Sequence, residues 1–96
     1  MAKTRIIIGN KEKHILEIEA SKFEGVKATV DGQTIFESRA ISESAKSIKL
    51  KVGKHEQHFI EIKVDYNAFP NIELTVDGIK QNIEFSDGEK YVDKKI

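Results

Sequence analysis

The chain contains no cysteine, and its sixteen Lys+Arg are matched by sixteen Asp+Glu. Without cysteine, disulfides, thiol catalysis and Cys-ligated zinc are excluded. Balanced charge removes the net-charge argument for nucleic acid or an anionic membrane surface. Lys46, Lys49, Lys51 and Lys54 gather on one strand and its turn, but no aromatic lies among them, and a single-strand binder needs bases stacked on aromatics within a basic groove. Long apolar runs are also missing. Arg5 leads into only three isoleucines before Gly9, too short for a signal peptide or a transmembrane span, so the expected compartment is the cytoplasm. No glycine-rich run precedes a helix pattern, and no serine sits in a nucleophile-elbow sequence. Neither an enzyme nor a cofactor is expected.

What is present is a repeat within a single domain spanning 1–96. Displaced by 44 residues, Gly9 falls on Gly53, Glu12 on Glu56, His14 on His58, Glu17 on Glu61 and Ile18 on Ile62. Further on the displacement becomes 46, and Thr29-Val30-Asp31-Gly32 falls on Thr75-Val76-Asp77-Gly78. The internal repeats cover 5–37 and 48–85, with a polar, Ser-rich linker at 38–47. Two copies are too few for a solenoid, so the expectation is one domain of two equivalent halves.

Each half alternates apolar and polar residues with period two. Leu16, Ile18 and Ala20 share one face, as do Val26, Ala28 and Val30; in the second half Ile48, Leu50 and Val52, then Ile60, Ile62 and Val64, then Ile72, Leu74 and Val76 do the same. One-sided alternation predicts antiparallel sheets with one wet face. Asp-Gly between two such runs is the signature of a two-residue hairpin turn, which needs positive φ at both central residues. Strands are expected near 4–8, 14–20, 25–30, 33–37, 47–52, 57–65, 71–76 and 79–85. A turn at Ser86-Asp87-Gly88 would lead to a short end strand around 90–92. A four-stranded half has one apolar face that must be covered, and the other half supplies the cover. The predicted fold is an all-β antiparallel sandwich of two duplicated four-stranded halves, with a closed barrel as the alternative.

Candidate binding residues fall into two groups. His14 and His58 each begin a second strand, on the inward side, with Glu12 and Glu56 two residues earlier. Imidazole with carboxylate suits a divalent metal if the two halves converge there, and capping or a solvated rim is the alternative. The second group is aromatic and apolar. The stretch DYNAFPN carries the two-residue insertion, Tyr66, Phe69 and the only proline, Pro70, where the first half has the shorter SKFEG with Phe23. Aromatics on a loop anchor a partner or plug the end of the sandwich. Ile7 and Phe59 point outward by the alternation, so they are either covered by the linker or tail or form an exposed patch for self-association. The expected partner is another protein or a second copy, giving a monomer or homodimer.

The run SIKLKVGKHEQHFIEIKVDYNAFPNIELTVDGIK, echoed by HILEIEASKFEGVKATVDGQ, resembles the repeat of the Fas apoptotic inhibitory molecule family over residues 5–85. The resemblance implies compact antiparallel β-sandwich architecture and a non-enzymatic, soluble, protein-interacting module. In animals such modules are associated with cell-survival signalling and resistance to protein aggregation. This chain has one domain's length where animal members carry two, and it has no tryptophan.

Overall fold

The computed structural model describes residues 2–21, 25–38, 45–65, 71–87 and 92–95. Every regular element among them is a strand. The first half is a meander of β1 (Ala2–Ile8), β2 (His14–Ser21), β3 (Gly25–Val30) and β4 (Gln33–Ser38). The second is a meander of β5 (Ala45–Val52), β6 (His58–Asp65), β7 (Asn71–Val76) and β8 (Ile79–Gln81). The C-terminal segment then supplies β9 (Ser86–Asp87) and β10 (Val92–Lys95). One sheet has the order β10-β1-β2-β3-β4, with β9 also paired to β1, and the other has β5-β6-β7-β8. The two sheets form a sandwich and do not close into a barrel, because the described strands pair only within each sheet.

Side chains alternating inward from both sheets make one core. Ile6, Ile18, Ala28, Ile62 and Leu74 are wholly enclosed in it. The outward faces carry charges in cross-strand register. Lys3, Glu19, Lys27 and Glu37 stand in one row across the first sheet. On the second, Lys49 pairs with Glu61 at 3.5 Å and Lys80 with Glu73 at 3.2 Å. Such exposed pairs contribute little each, but they keep both faces wet.

Both Asp-Gly hairpins have the backbone their sequence demands. Asp31 and Gly32 sit at φ 51° and 83°, and Asp77 and Gly78 at 52° and 80°. A Cβ on Gly32 or Gly78 would meet no atom within 4 Å, so only the backbone cost of positive φ opposes a side chain there. Gly32→Ala and Gly78→Ala should each cost about 1 kcal/mol. Urea unfolding midpoints at constant slope measure this.

The second half departs from its expected strand plan after Gln81. The strand expected at 79–85 ends at Gln81. Ile83 and Phe85 leave the sheet to pack partly buried against the core. Ser86-Asp87, expected as a turn, is strand β9 opposite Ala2 and Lys3. Of the end strand expected around 90–92, residues 90 and 91 lie outside the described residues; strand β10 is described over Val92–Lys95 and lies parallel to β1, with Thr4 opposite Val92 and Ile7 opposite Lys95. The Lys94 ammonium donates to the Asn82 carbonyl, and Ser86 Oγ donates to the Lys3 carbonyl at 3.3 Å. The cause is a pairing choice: the tail satisfies the open backbone groups of β1 instead of extending β8. Strand structure also enters the expected linker from both ends, since β4 reaches Ser38 and β5 begins at Ala45.

Candidate functional site

The turns after β1 and β5 are short loops of identical plan, Gly-x-x-Glu-x-His in both. Gly9 and Gly53 open them at φ 106° and 107°. A Cβ on Gly9 would lie 1.9 Å from the Glu12 carbonyl oxygen, and one on Gly53 1.9 Å from that of Glu56. Each loop therefore folds tightly back on its own glycine. That fold turns two successive N–H groups outward and swings the glutamate across to the other half.

The two glutamates exchange places. Glu12 accepts from the Lys54 and His55 backbone N–H groups, both at 2.7 Å. Glu56 accepts from Asn10 and Lys11 N–H, both at 2.7 Å, and more weakly from Glu12 N–H at 3.4 Å. Each carboxylate thus sits in a small concavity of backbone amides supplied by the opposite loop, an arrangement suited to an anion.

The histidines anchor the same carboxylates. His14 Nε2 faces Glu12 Oε2 at 2.5 Å, while its Nδ1 faces Asp31 Oδ2 at 2.5 Å. His58 repeats this with Glu56 and Asp77, both at 2.6 Å. The aspartate is in turn fixed by its hairpin: Asp31 Oδ1 accepts from Ile15 N–H and Asp77 Oδ1 from Phe59 N–H, each at 2.8 Å. A neutral imidazole has one N–H and can donate to only one carboxylate. Two carboxylates on opposite nitrogens therefore favour the imidazolium form of each ring.

The acid–base shifts follow from this geometry. The imidazole of His14 is raised above its ordinary value by Asp31 and then Glu12, and that of His58 by Glu56 and then Asp77. The Glu12 carboxyl is lowered to about 2, first by His14 and then by the His55 and Lys54 amides. Glu56 is lowered to about 2 by His58, Lys11 and Asn10. Partial burial pushes Asp31 upward, but the bonds from His14 and Ile15 outweigh it and the net shift is downward. Asp77 is lowered by His58 and Phe59.

Comparison with protein-family models, curated proteins and solved structures finds no match for this chain. The functional reading therefore rests on its own residues.

Glu12, His14, Glu56 and His58 are gathered at one place, where the two halves meet. Both nitrogens of each ring already face carboxylates, so a metal bound there would have to displace one of them. Among the described residues no group of three or more His, Cys, Asp and Glu is arranged to hold a metal ion. Sequence reasoning gave the hairpin aspartates only a turn role and missed that Asp31 and Asp77 orient the histidines. The available signal was recurrence: His and Asp stand at matched positions in both halves. A groove of about 410 Å³ lined by Lys11, Glu12, His55 and Glu56 opens over the crossing.

The apolar candidates diverge. Ile7 is half-buried, paired with Ile15 on one side and flanked by β10 on the other. It is the tail, one of the two expected outcomes, that lies beside it. Phe59 is 65% exposed, and Ile79 and Ile15 are 66% and 39% exposed. Phe23, Tyr66 and Phe69 lie outside the described residues. Among the described residues no helix is long and apolar enough to cross a membrane.

Proposed function

We propose that this chain is a non-catalytic, cytoplasmic protein-interaction module of two duplicated halves, with Phe59 as an anchor. The single observation that carries the reading is the exposure of Phe59 on the outer face of the second sheet. A phenyl ring held 65% exposed on an ordered strand costs solvation that burial against another protein recovers, and exposed aromatics are the residue class that dominates interface energy. The imidazoles support a non-catalytic role. Each is held on both nitrogens by carboxylates that are themselves tied to the backbone, which suits a rigid platform better than proton transfer. The resemblance of SIKLKVGKHEQHFIEIKVD and its continuation to the Fas apoptotic inhibitory molecule repeat points the same way, toward a protein-interacting β-sandwich.

The test is solution mass by light scattering across a concentration series, for the native chain and Phe59→Ser. The native mass should rise above 10.9 kDa with concentration, while the variant stays at the monomer mass and melts within a few degrees of the native chain. A native mass that rises identically in the variant removes Phe59 as the anchor. A monomer in both removes self-association and leaves a foreign protein as the partner.

A further inference from the structure

The two sheets treat their equivalent edges differently. In the first sheet, β1 carries β10 along its outer edge in parallel pairing. In the second, the equivalent strand β5 pairs, among the described residues, with β6 alone. The consequence shows in the side chains. Thr4 and Ile6, on β1, are 0% exposed. Their counterparts 44 residues on, Ile48 and Leu50, are only half-buried although they pack on the same core. Among the described residues the second sheet therefore has an eight-residue edge strand with no strand on its outer side, and two incompletely covered aliphatic side chains.

A groove of about 290 Å³ of mixed lining runs beside this edge, with Val30, Ile35 and the polar His14, Asp31 and Gln33 of the first sheet on one wall and Leu50, Lys51 and Val52 of β5 on the other. It lies at the Gly53 end of β5, away from Ala45, where the connection from β4 enters. On the outer face of the same strand Lys49 and Lys51 are exposed, and Phe59 stands in register with Lys51. Half-covered Ile48 and Leu50, a backbone edge left open among the described residues, and outward lysines thus follow one strand in the order a partner strand would read them: apolar residues inward, acidic residues outward.

We propose that the β5 edge is a docking site for an extended, alternating apolar–acidic segment of a partner protein, added parallel to β5 as β10 is added to β1. This deepens the interaction-module reading and rests on it. The docked segment would complete the second sheet to five strands. Its inward side chains would cover Ile48 and Leu50 and enter the groove. Its carboxylates would face Lys49 and Lys51, with Phe59 one strand further along the same surface. Main-chain hydrogen bonds supply affinity in such strand addition, and alternate side chains supply selectivity. The lysines also act against the wrong partner. A lysine-bearing strand, including a second β5 edge, meets like charge.

The test uses the full chain and two capped synthetic octapeptides, one alternating valine with glutamate and one alternating valine with lysine. Backbone amide shifts and hydrogen exchange are followed by NMR. The glutamate peptide should slow exchange along Ile48–Val52 and bind roughly tenfold more tightly than the lysine peptide. Lys49→Glu/Lys51→Glu should reverse that order while lowering the melting temperature by a few degrees, since Glu at 49 would face Glu61 across the strands. Failure of both peptides to alter the β5 amides overturns the proposal, as does equal binding of both with no reversal in the variant. If the peptides fail while Phe59→Ser still abolishes association in light scattering, the β5 site is wrong and the interaction module stands. If the peptides fail and both the native chain and Phe59→Ser stay monomeric, the β5 site and self-association are both wrong, and the interaction module is left with a foreign partner at another surface.

Discussion

Gly53→Ala and Gly9→Ala should each lower the melting temperature by roughly 10–25 °C, corresponding to about 2–4 kcal/mol for a domain of this size. Two effects add. The backbone at φ 106° and 107° is one that a side chain rarely adopts, and holding a non-glycine residue in such a region costs on the order of 1–3 kcal/mol. The new methyl carbon would also lie 1.9 Å from a backbone carbonyl oxygen of the same loop, so the loop must open. Opening it moves the two N–H groups that hold the opposite glutamate, and the damage crosses to the other half. Gly32→Ala and Gly78→Ala share the positive φ but meet no atom, so they isolate the backbone term. A differential scanning measurement on all four variants separates strain from clash. Equal losses at all four would mean that the loops relax freely and that their tight closure contributes nothing.

The second large effect is a stability maximum at mildly acidic pH. The carboxyls of Glu12 and Glu56 are lowered to about 2 in the folded chain. Their contribution is complete above the unfolded value of about 4.3 and is lost as pH falls toward the folded one. Asp31 and Asp77 shift in the same direction and add to the acid limb. The imidazoles are raised, so their contribution is complete below the unfolded value of about 6.5 and is lost as pH rises through the folded values. The melting temperature should therefore be highest between about pH 4.5 and 6.5 and fall on both sides. His14→Gln/His58→Gln should flatten the alkaline limb, because glutamine does not titrate. Glu12→Gln/Glu56→Gln should flatten part of the acid limb and lower stability at neutral pH, since each amide NH₂ would confront a donor. A native melting temperature level from pH 6 to 9 would show that the rings are not held as cations.

The two experiments probe one device from its two ends. The glycine shapes the loop that offers amides, and the imidazolium fixes the carboxylate that enters the opposite loop. Because the exchange is reciprocal, each half is completed by the other, which gives the two sheets a polar tie outside the core. Hydrogen bonds to charged groups are the stronger class. Here they also fix geometry, since two successive amides admit the carboxylate in one orientation.

Much of this molecule was legible along the chain. Period-two alternation placed Leu16, Ile18, Ile60, Ile62 and Leu74 in the core, because side chains on a strand must alternate faces. Asp31-Gly32 and Asp77-Gly78 announced their hairpins, because few residue pairs accept positive φ twice. The repeat predicted two four-stranded meanders, and an apolar face on each required the sandwich that the two sheets form. The sequence also brought Glu12, His14, Glu56 and His58 forward as one group. It did not show that the glutamates cross between halves, because only the packing of one half on the other brings those residues together, nor that Asp31 and Asp77 complete the rows, because those bonds depend on strand pairing within each half.

The fate of the C-terminal segment was likewise decided in three dimensions. Nothing local separates a fourth strand running to Phe85 from one that stops at Gln81, since both bury apolar residues. The difference lies in which open edge the tail reaches, and that edge, β1, is some ninety residues away along the chain. The same tail lies beside Ile7 on β1, while Ile48 and Leu50 on β5, which it does not join among the described residues, are half-buried. By itself the sequence determined the strands of the two meanders as far as β7 and their inward faces, which depend on neighbouring residues and backbone sterics. Only the tertiary structure decided the crossed carboxylates and which sheet edge stays open, because pairing between distant backbone groups is a competition that the folded chain settles as a whole.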